Sequence, residues 1–324
     1  MNQPLVSVII NNYNYGRYLG QAINSVLTQT YPNIEVIVVD DGSTDGSQEI
    51  IKSYGDKIIS VLKANGGHAS TFNAGFAVSK GDIICLLDSD DMFFSTKVAE
   101  IVRVFEAYEG IGWCFHALQY MQTDELETSD WQPLIEQNSD LACIEIDFRD
   151  ELKAGKQPGF VPQTSAISFS RSILQTILPM PEDQKTYVGD TYISMIALSL
   201  SKGCLPNRCL SIYRLHGNNA YTNPSIDVQR ATFAKVRIVT GYWLRTNSPD
   251  LSKYTDVFFS KGLACFWLLK KSEAEDRYRD FIKSYFSYLI IAGKLNILLR
   301  ALYYQQKSFL LKTLPGFEHF TQLV

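Results

Sequence analysis

The feature that most constrains the fold is an alternation of short apolar runs with helical stretches over the first 115 residues. Val6-Ser7-Val8-Ile9-Ile10, Ile34–Val39, Ile58–Leu62 and Asp82–Leu87 read as strands. Between and after them, Tyr18–Leu27, Ser47–Ser53, Ala69–Ser79 and Thr96–Tyr108 read as helices. The last carries Val98, Ile101, Val102 and Phe105 on one stripe. Gly112–His116 reads as a fifth strand. Strands joined through helices need right-handed crossovers, so the pattern predicts an α/β fold with a mainly parallel sheet flanked by helices.

From Thr123 to Val161 polar and acidic residues dominate, and loops or short antiparallel pieces are expected. Ser165–Ser170 and Cys209–Leu215 then read as strands and Tyr187–Ser201 as a helix. After Pro224 the chain reads as helical to its end. The predicted organisation is an α/β domain over 1–222, in halves 1–115 and 116–222, and a helical extension over 223–324. A chain of 324 residues with 46% hydrophobic residues has ample material for a core. Its net charge of −4 excludes a general nucleic-acid binder. No apolar run reaches the roughly 18 residues of a spanning helix; Phe258–Leu269 comes nearest, and Lys261 interrupts it. The N-terminus enters a strand without a basic stretch and apolar leader, and the six cysteines are scattered. Reduced cysteines and a cytoplasmic location are therefore expected.

Ligands of an open parallel sheet bind outside the carboxyl ends of its strands. The residues there are Asn11-Asn12-Tyr13-Asn14, Asp40-Asp41-Gly42-Ser43, Asn65-Gly66-Gly67-His68 and Asp88-Ser89-Asp90-Asp91. Any one such loop is ordinary turn chemistry. Three aspartates in four residues are harder to explain that way, because their repulsion is costly unless a cation or solvent offsets it. Carboxylate oxygens suit Mg²⁺ or Mn²⁺, ions that often bridge to a diphosphate; a solvated acidic turn is the alternative. A dinucleotide glycine fingerprint and a P-loop are both missing from the sequence, which assigns phosphate handling to a metal.

Val6–Asn14, Ser25-Val26-Leu27-Thr28-Gln29-Thr30-Tyr31-Pro32, Val38–Asp45, Asn73-Ala74-Gly75 and Lys80–Asp91 together resemble the family 2 glycosyltransferases, in the family's order and spacing. The resemblance is strong over roughly the first 110 residues and weaker to about Asn219. It implies a GT-A fold, with a nucleotide-sugar half and an acceptor half, and inverting transfer from a nucleotide-sugar donor, typically a UDP-sugar. Asn11 and Tyr13 would flank the base, and Asp41 would accept from it. Asp88 and Asp90 match the D-x-D motif, with Asp90 the leading metal ligand, and Asp91 would add a contact to ribose or metal. Asp190, in Gly189-Asp190-Thr191-Tyr192, would be the base; the family often has Glu where Gly189 stands, and helix capping is the other reading of Asp190. Glu182-Asp183 is the reserve. In Tyr213–Asn219, Arg214 or His216 would approach the diphosphate, with His216 a candidate metal ligand. His68 stands where its loop would reach the donor.

Residues 277–312 hold seven Lys/Arg and one acidic residue, Asp280, among many apolar ones. Such a segment suits an anionic membrane surface, as for a lipid-linked saccharide acceptor at the inner face of a membrane. A helical hairpin that covers the catalytic domain or makes a homodimer is the other reading. Two rival functions fit the sequence less well. A sugar nucleotidyltransferase would show a Gly-rich, basic loop after the first strand, and Asn11–Gly16 lacks it. A non-catalytic saccharide-binding or scaffold module of a polymer-assembly complex would not need Asp90 and Asp190.

Overall fold

The computed structural model describes residues 3–122, 142–160, 163–182, 189–217, 219, 225–269 and 274–312. The chain divides into two compact units, one of residues 1–147 with 162–216, the other of 148–161 with 217–324.

In the first unit the expected alternation is present. It runs β1 (Val6–Asn12), α1 (Gly16–Leu27), β2 (Ile34–Asp40), α2 (Ser47–Ser53), β3 (Ile59–Leu62), α3 (His68–Val78) and β4 (Ile83–Asp88). There follow β5 (Met92–Phe93), α4 (Lys97–Ala107), β6 (Trp113–Phe115), β7 (Ala117–Gln122) and β8 (Cys143–Ile146). Later come β9 (Ile167–Ser170), α6 (Arg171–Ile177), α7 (Gly189–Leu200), β10 (Gly203–Pro206) and β11 (Cys209–Leu215), with α5 (Arg149–Lys153) lying in the second unit.

The main sheet has eight strands in the order β3-β2-β1-β4-β9-β6-β10-β8. β3, β2, β1 and β4 are mutually parallel, while β9 is antiparallel to both of its neighbours and β8 to β10. The chain winds outward from β1 to β3 and then returns to place β4 on β1's other side. That reversal opens a crevice at the carboxyl ends of β1 and β4. Val6, Val8 and Ile10 enter the main core with Leu19 and Ile23 of α1, and Ile9 faces the opposite side, so β1 is covered on both faces. α3 lies close on that opposite side, where a Cβ at Gly75 would come within 2.5 Å of Ile9 Cγ2. Glycine there is a condition of helix–sheet contact.

A second sheet, β5-β11-β7, was not expected from sequence. β7 and β5 were missed because β5 has two residues and β7 is polar and half-exposed, without the β-branched run that marks the central strands.

The second unit is built from α5, α8 (Ile226–Asn247), α9 (Ser252–Trp267), α10 (Ala274–Ser287) and α11 (Ile291–Lys312). Its core contains Ile238, Val239, Phe259, Leu263, Tyr285, Ile297 and Ala301. The Phe259 and Tyr285 rings stack at 3.8 Å between centroids. No helix among the described residues is long and apolar enough to cross a membrane.

Candidate active site

Adjacent strand ends bring the first two loops together. Asn11 on β1 is in register with Asp88 on β4, and its Nδ2 donates to Asp88 Oδ1 at 2.7 Å. Asn11 Oδ1 is buried with no hydrogen-bond partner among the described residues. Asn14, in the left-handed region at φ 58°, accepts from Thr44 N at 2.8 Å, and its own N–H donates to Ser43 Oγ at 2.9 Å. These bonds join the β1 and β2 loops and leave the Tyr13 ring 47% exposed beside them.

Asp41 is buried, and both its oxygens are engaged. Oδ1 accepts from Lys63 Nζ at 2.6 Å and Gly66 N at 2.9 Å, and Oδ2 from Gly67 N at 2.8 Å. A carboxylate that takes up N–H groups at a helix start is favoured by the helix dipole as well as by the bonds. Asp41 thus orders the loop that leads into α3. Lys63 was not singled out from sequence, although it stands at the end of β3, where the strand-end rule applies.

The acidic cluster divides by environment. Asp88, Asp90 and Asp91 each offer a carboxylate oxygen within 4.8 Å of the others. Asp91 is buried, and its oxygens accept from Ser165 Oγ at 2.6 Å and Arg214 N at 3.0 Å. Burial and the charges of Asp90 and Asp88 push its carboxyl well above the usual range. Asp88 and Asp90 are more open, with side chains 29% and 16% exposed. Burial raises the Asp90 carboxyl too, with Asp88 adding to it and a hydrogen bond from His216 opposing it.

His216 Nε2 lies 3.0 Å from Asp90 Oδ2, and its ring stacks on Tyr18 at 5.0 Å. Arg214 is fully buried rather than open to a ligand. Its Nε donates to Asp90 O at 2.7 Å, one terminal nitrogen donates to Gln21 Oε1 at 2.6 Å, and its guanidinium lies over the Tyr18 ring. β11 therefore anchors the cluster from behind.

Asp190 opens α7 and is buried. Its Oδ1 accepts from Thr191 N at 2.6 Å, and Thr164 Oγ1 lies 3.5 Å from Oδ2. Burial raises its carboxyl; the charge of His68 opposes this and that of Asp88 adds to it. His68, the first residue of α3, stands among these acids, with Nε2 3.6 Å from Asp88 Oδ1. Burial works against its charged form, but Asp88, Asp190 and Asp41 outweigh that and raise its pKa. The structure thus brings His68 beside Asp88 and within electrostatic reach of Asp190, a relation that spacing did not reveal.

Gly189 also has a physical reason. A Cβ there would lie 3.0 Å from the Phe72 ring and 3.2 Å from Met180 Cε. Phe72 is buried and its ring centroid is 4.4 Å from that of His68. Glu182 accepts from Asn73 Nδ2 at 2.8 Å, and Asp183 lies outside the described residues.

Two further residues carry the geometry without any sequence signal. Ser165 Oγ accepts from Asp88 N at 3.1 Å while donating to Asp91, so one hydroxyl holds both ends of the cluster. Lys97 is fully buried; its Nζ donates to Ser165 O at 2.9 Å and sits 3.4 Å from the Phe93 ring centroid. Burial pushes its pKa down to about 7.

An α/β fold with a strand-end acidic cluster at its switch point defines a class of ligand-binding sites, and comparison with known proteins gives the family. The profile of Glycosyl transferase family 2 matches residues 7–177, and the chain belongs to that family. An uncharacterized glycosyltransferase of Nostoc sp. is 36% identical over 221 residues, 66% of each chain. Another, from Rickettsia typhi, is 39% identical over 133 residues, 38% of this chain and 42% of its own length. Both matches therefore cover less than two thirds of those relatives. Among solved structures, S. aureus TarS 1–349 in complex with UDP-GlcNAc superposes with TM-score 0.60 at 15% identity, over 94% of this chain and 92% of that one. The mannosyltransferase PcManGT of Pyrobaculum calidifontis, in complex with GDP-Man and Mn²⁺, gives 0.52 at 15% identity, over 95% and 88%. At such identity the likeness is one of fold. The chain is a member of Glycosyl transferase family 2 with the GT-A fold.

Proposed function

We propose that this glycosyltransferase moves a sugar from a nucleotide-diphosphate donor, a UDP-sugar first, to an acceptor hydroxyl with inversion, in the synthesis of a surface polysaccharide or glycoconjugate. The observation that carries the reading is the convergence of Asn11, Asp88 and Asp90 at the carboxyl ends of β1 and β4, with the buried Asp190 within reach of the Asp88 charge. The known complexes of TarS with UDP-GlcNAc and of PcManGT with GDP-Man and Mn²⁺ support it by analogy of fold.

The residues suit a divalent ion. Crowded acids whose carboxyls burial and mutual charge push up are what a cation would relieve. Asp88 and Asp90 would hold it, with His216 beside Asp90; both oxygens of Asp91 are already taken by the protein. Bound Mn²⁺ or Mg²⁺ supplies charge to offset the departing diphosphate.

The chain's own groups do the rest. The exposed Tyr13 ring offers a face for the base, and the unpartnered Asn11 Oδ1 offers an acceptor to the donor nucleotide. Asp41, with three donors already on its carboxylate, would keep its loop in place beside the nucleotide. Asp190, raised by burial, takes the proton of the acceptor hydroxyl as it attacks the anomeric carbon opposite the leaving group.

Release of free nucleotide from a panel of UDP-, GDP-, CDP- and dTDP-sugars, with Mn²⁺, Mg²⁺ or EDTA, tests the reading. UDP release that needs metal and is lost in Asp90→Asn is expected. Metal-independent release, unchanged in Asp90→Asn, would overturn the metal site. A preference for another nucleotide would overturn the choice of base.

A further inference from the structure

Helix α11 has one face packed and one face bare. Ile297 and Ala301 are buried in the core of the helical unit. Tyr304 packs against the same core, with Lys261 Nζ of α9 5.3 Å from its ring centroid. The opposite side is apolar and uncovered. Ile291 is 85% exposed, Leu295 56%, Leu298 37%, Leu299 57% and Leu302 46%. With successive residues about 100° apart, these five side chains fall within a single arc of about 100°. Tyr303, also exposed, extends it. Single exposed leucines are ordinary, but a continuous face of them marks a docking surface.

Charge selects what docks there. Ile291–Lys312 contains Lys294, Arg300, Lys307 and Lys312 and no Asp or Glu, in a chain whose net charge is −4. On the helical projection Lys294 borders the apolar arc on one side, and Lys307 and Arg300 lie beyond the other. Two copies paired through this face would set these cations against one another, with no carboxylate on either helix to answer them. An anionic lipid surface answers them along the whole helix. Apolar side chains enter the boundary between headgroups and acyl chains, and the long basic side chains reach back to the phosphates. We propose that α11 docks this chain on anionic membrane through its Ile291–Leu302 face. The inference is independent of the donor, metal and base assignments, because no residue of α11 belongs to that site.

The test is co-sedimentation of the whole chain with phosphatidylcholine vesicles, with and without phosphatidylglycerol, alongside sedimentation velocity without lipid. Binding that requires phosphatidylglycerol is expected, with the lipid-free protein monomeric. The double variant L295E/L299E should lose binding at an unchanged melting temperature, since both side chains are exposed. Removing Lys294, Arg300 and Lys307 as glutamines should weaken binding about fivefold per residue, and added salt should act the same way. Nucleotide release by L295E/L299E in solution should match the parent, so failure here and failure of the sugar-transfer reading are separate results. Binding indifferent to phosphatidylglycerol, or no binding at all, would overturn the proposal. So would a dimer of the parent chain that L295E/L299E converts to monomer, which would assign the face to a second copy.

Discussion

Asp190 and Lys97 are both buried ionisable side chains, and burial gives them opposite roles. The raised Asp190 carboxyl stays protonated to higher pH than an exposed one. A base in that state works only after it loses its proton, so kcat/KM should climb with pH along a limb displaced above the ordinary carboxylate range. In Asp190→Asn that limb should vanish and kcat should fall by about 10²–10⁴-fold, read by nucleotide release in the presence of acceptor. Lys97 is a lysine whose folded pKa, about 7, lies below its ordinary 10.5. Between those values the unfolded chain binds more protons than the folded one, so stability should rise with pH across that window and be flat below it. The slope is at most about 1.4 kcal/mol per pH unit. Denaturant unfolding from pH 7 to 10 measures it, and Lys97→Met should remove it. Asp190 was legible in sequence because it opens a helix within a resembling motif. Lys97 was not, because a lysine in the first turn of an amphipathic helix ordinarily points to water, and only β5, β11 and the turn before β9 close over it.

At the scale of elements, the segment Ser25–Tyr31 shows what a motif without chemistry can do. Gln29 Nε2 donates to Ser25 O and Phe94 O, both at 2.8 Å, and its Oε1 accepts from Val98 N at 2.9 Å. Thr30 N donates to Ser95 O at 2.9 Å, and Phe93 N donates to Ser25 Oγ at 3.1 Å. The end of α1 is thereby tied to the chain just after Asp91. Gln29→Leu leaves part-buried backbone groups unpaired and should cost about 1–3 kcal/mol in chemical denaturation, with weaker metal-dependent donor turnover. Gly189 makes a second case. Gly189→Glu must displace the Phe72 ring or Met180, so it should lower the melting temperature. Phe72→Ala in the same chain should recover part of that loss, and a double-mutant cycle reads the coupling. The position where the chain departs from its family thus has a steric explanation that sequence spacing could not supply.

For the whole molecule, the two units have separate cores, and the residues of the proposed donor site all lie in the first. A ligand that binds only the folded site stabilises it by mass action, by about 2.7 kcal/mol at a hundredfold excess over Kd. UDP with Mn²⁺ should therefore raise the unfolding midpoint of the first unit. EDTA or Asp90→Asn should abolish that rise, measured by scanning calorimetry.

The sequence by itself determined the parallel half of the sheet, the places where its strands end, and the acidic groups that stand there. These are local properties: apolar periodicity reports burial of a strand or helix face, and in a parallel sheet the carboxyl ends point the same way. The sequence also indicated a helical C-terminal segment. Only the tertiary structure decided which strand-end acids face outward. Asp88 and Asp91 stand in one short turn, yet Ser165 and Arg214, far along the chain, turn Asp91 inward and leave Asp88 with Asn11. It decided as well that β5, β7 and β11 form a second sheet and that the charge of His68 acts on Asp190. It left the Ile291–Leu302 face of α11 bare. Each of these depends on partners distant in sequence, and hydrogen bonds or burial between such partners leave no period in the chain to read.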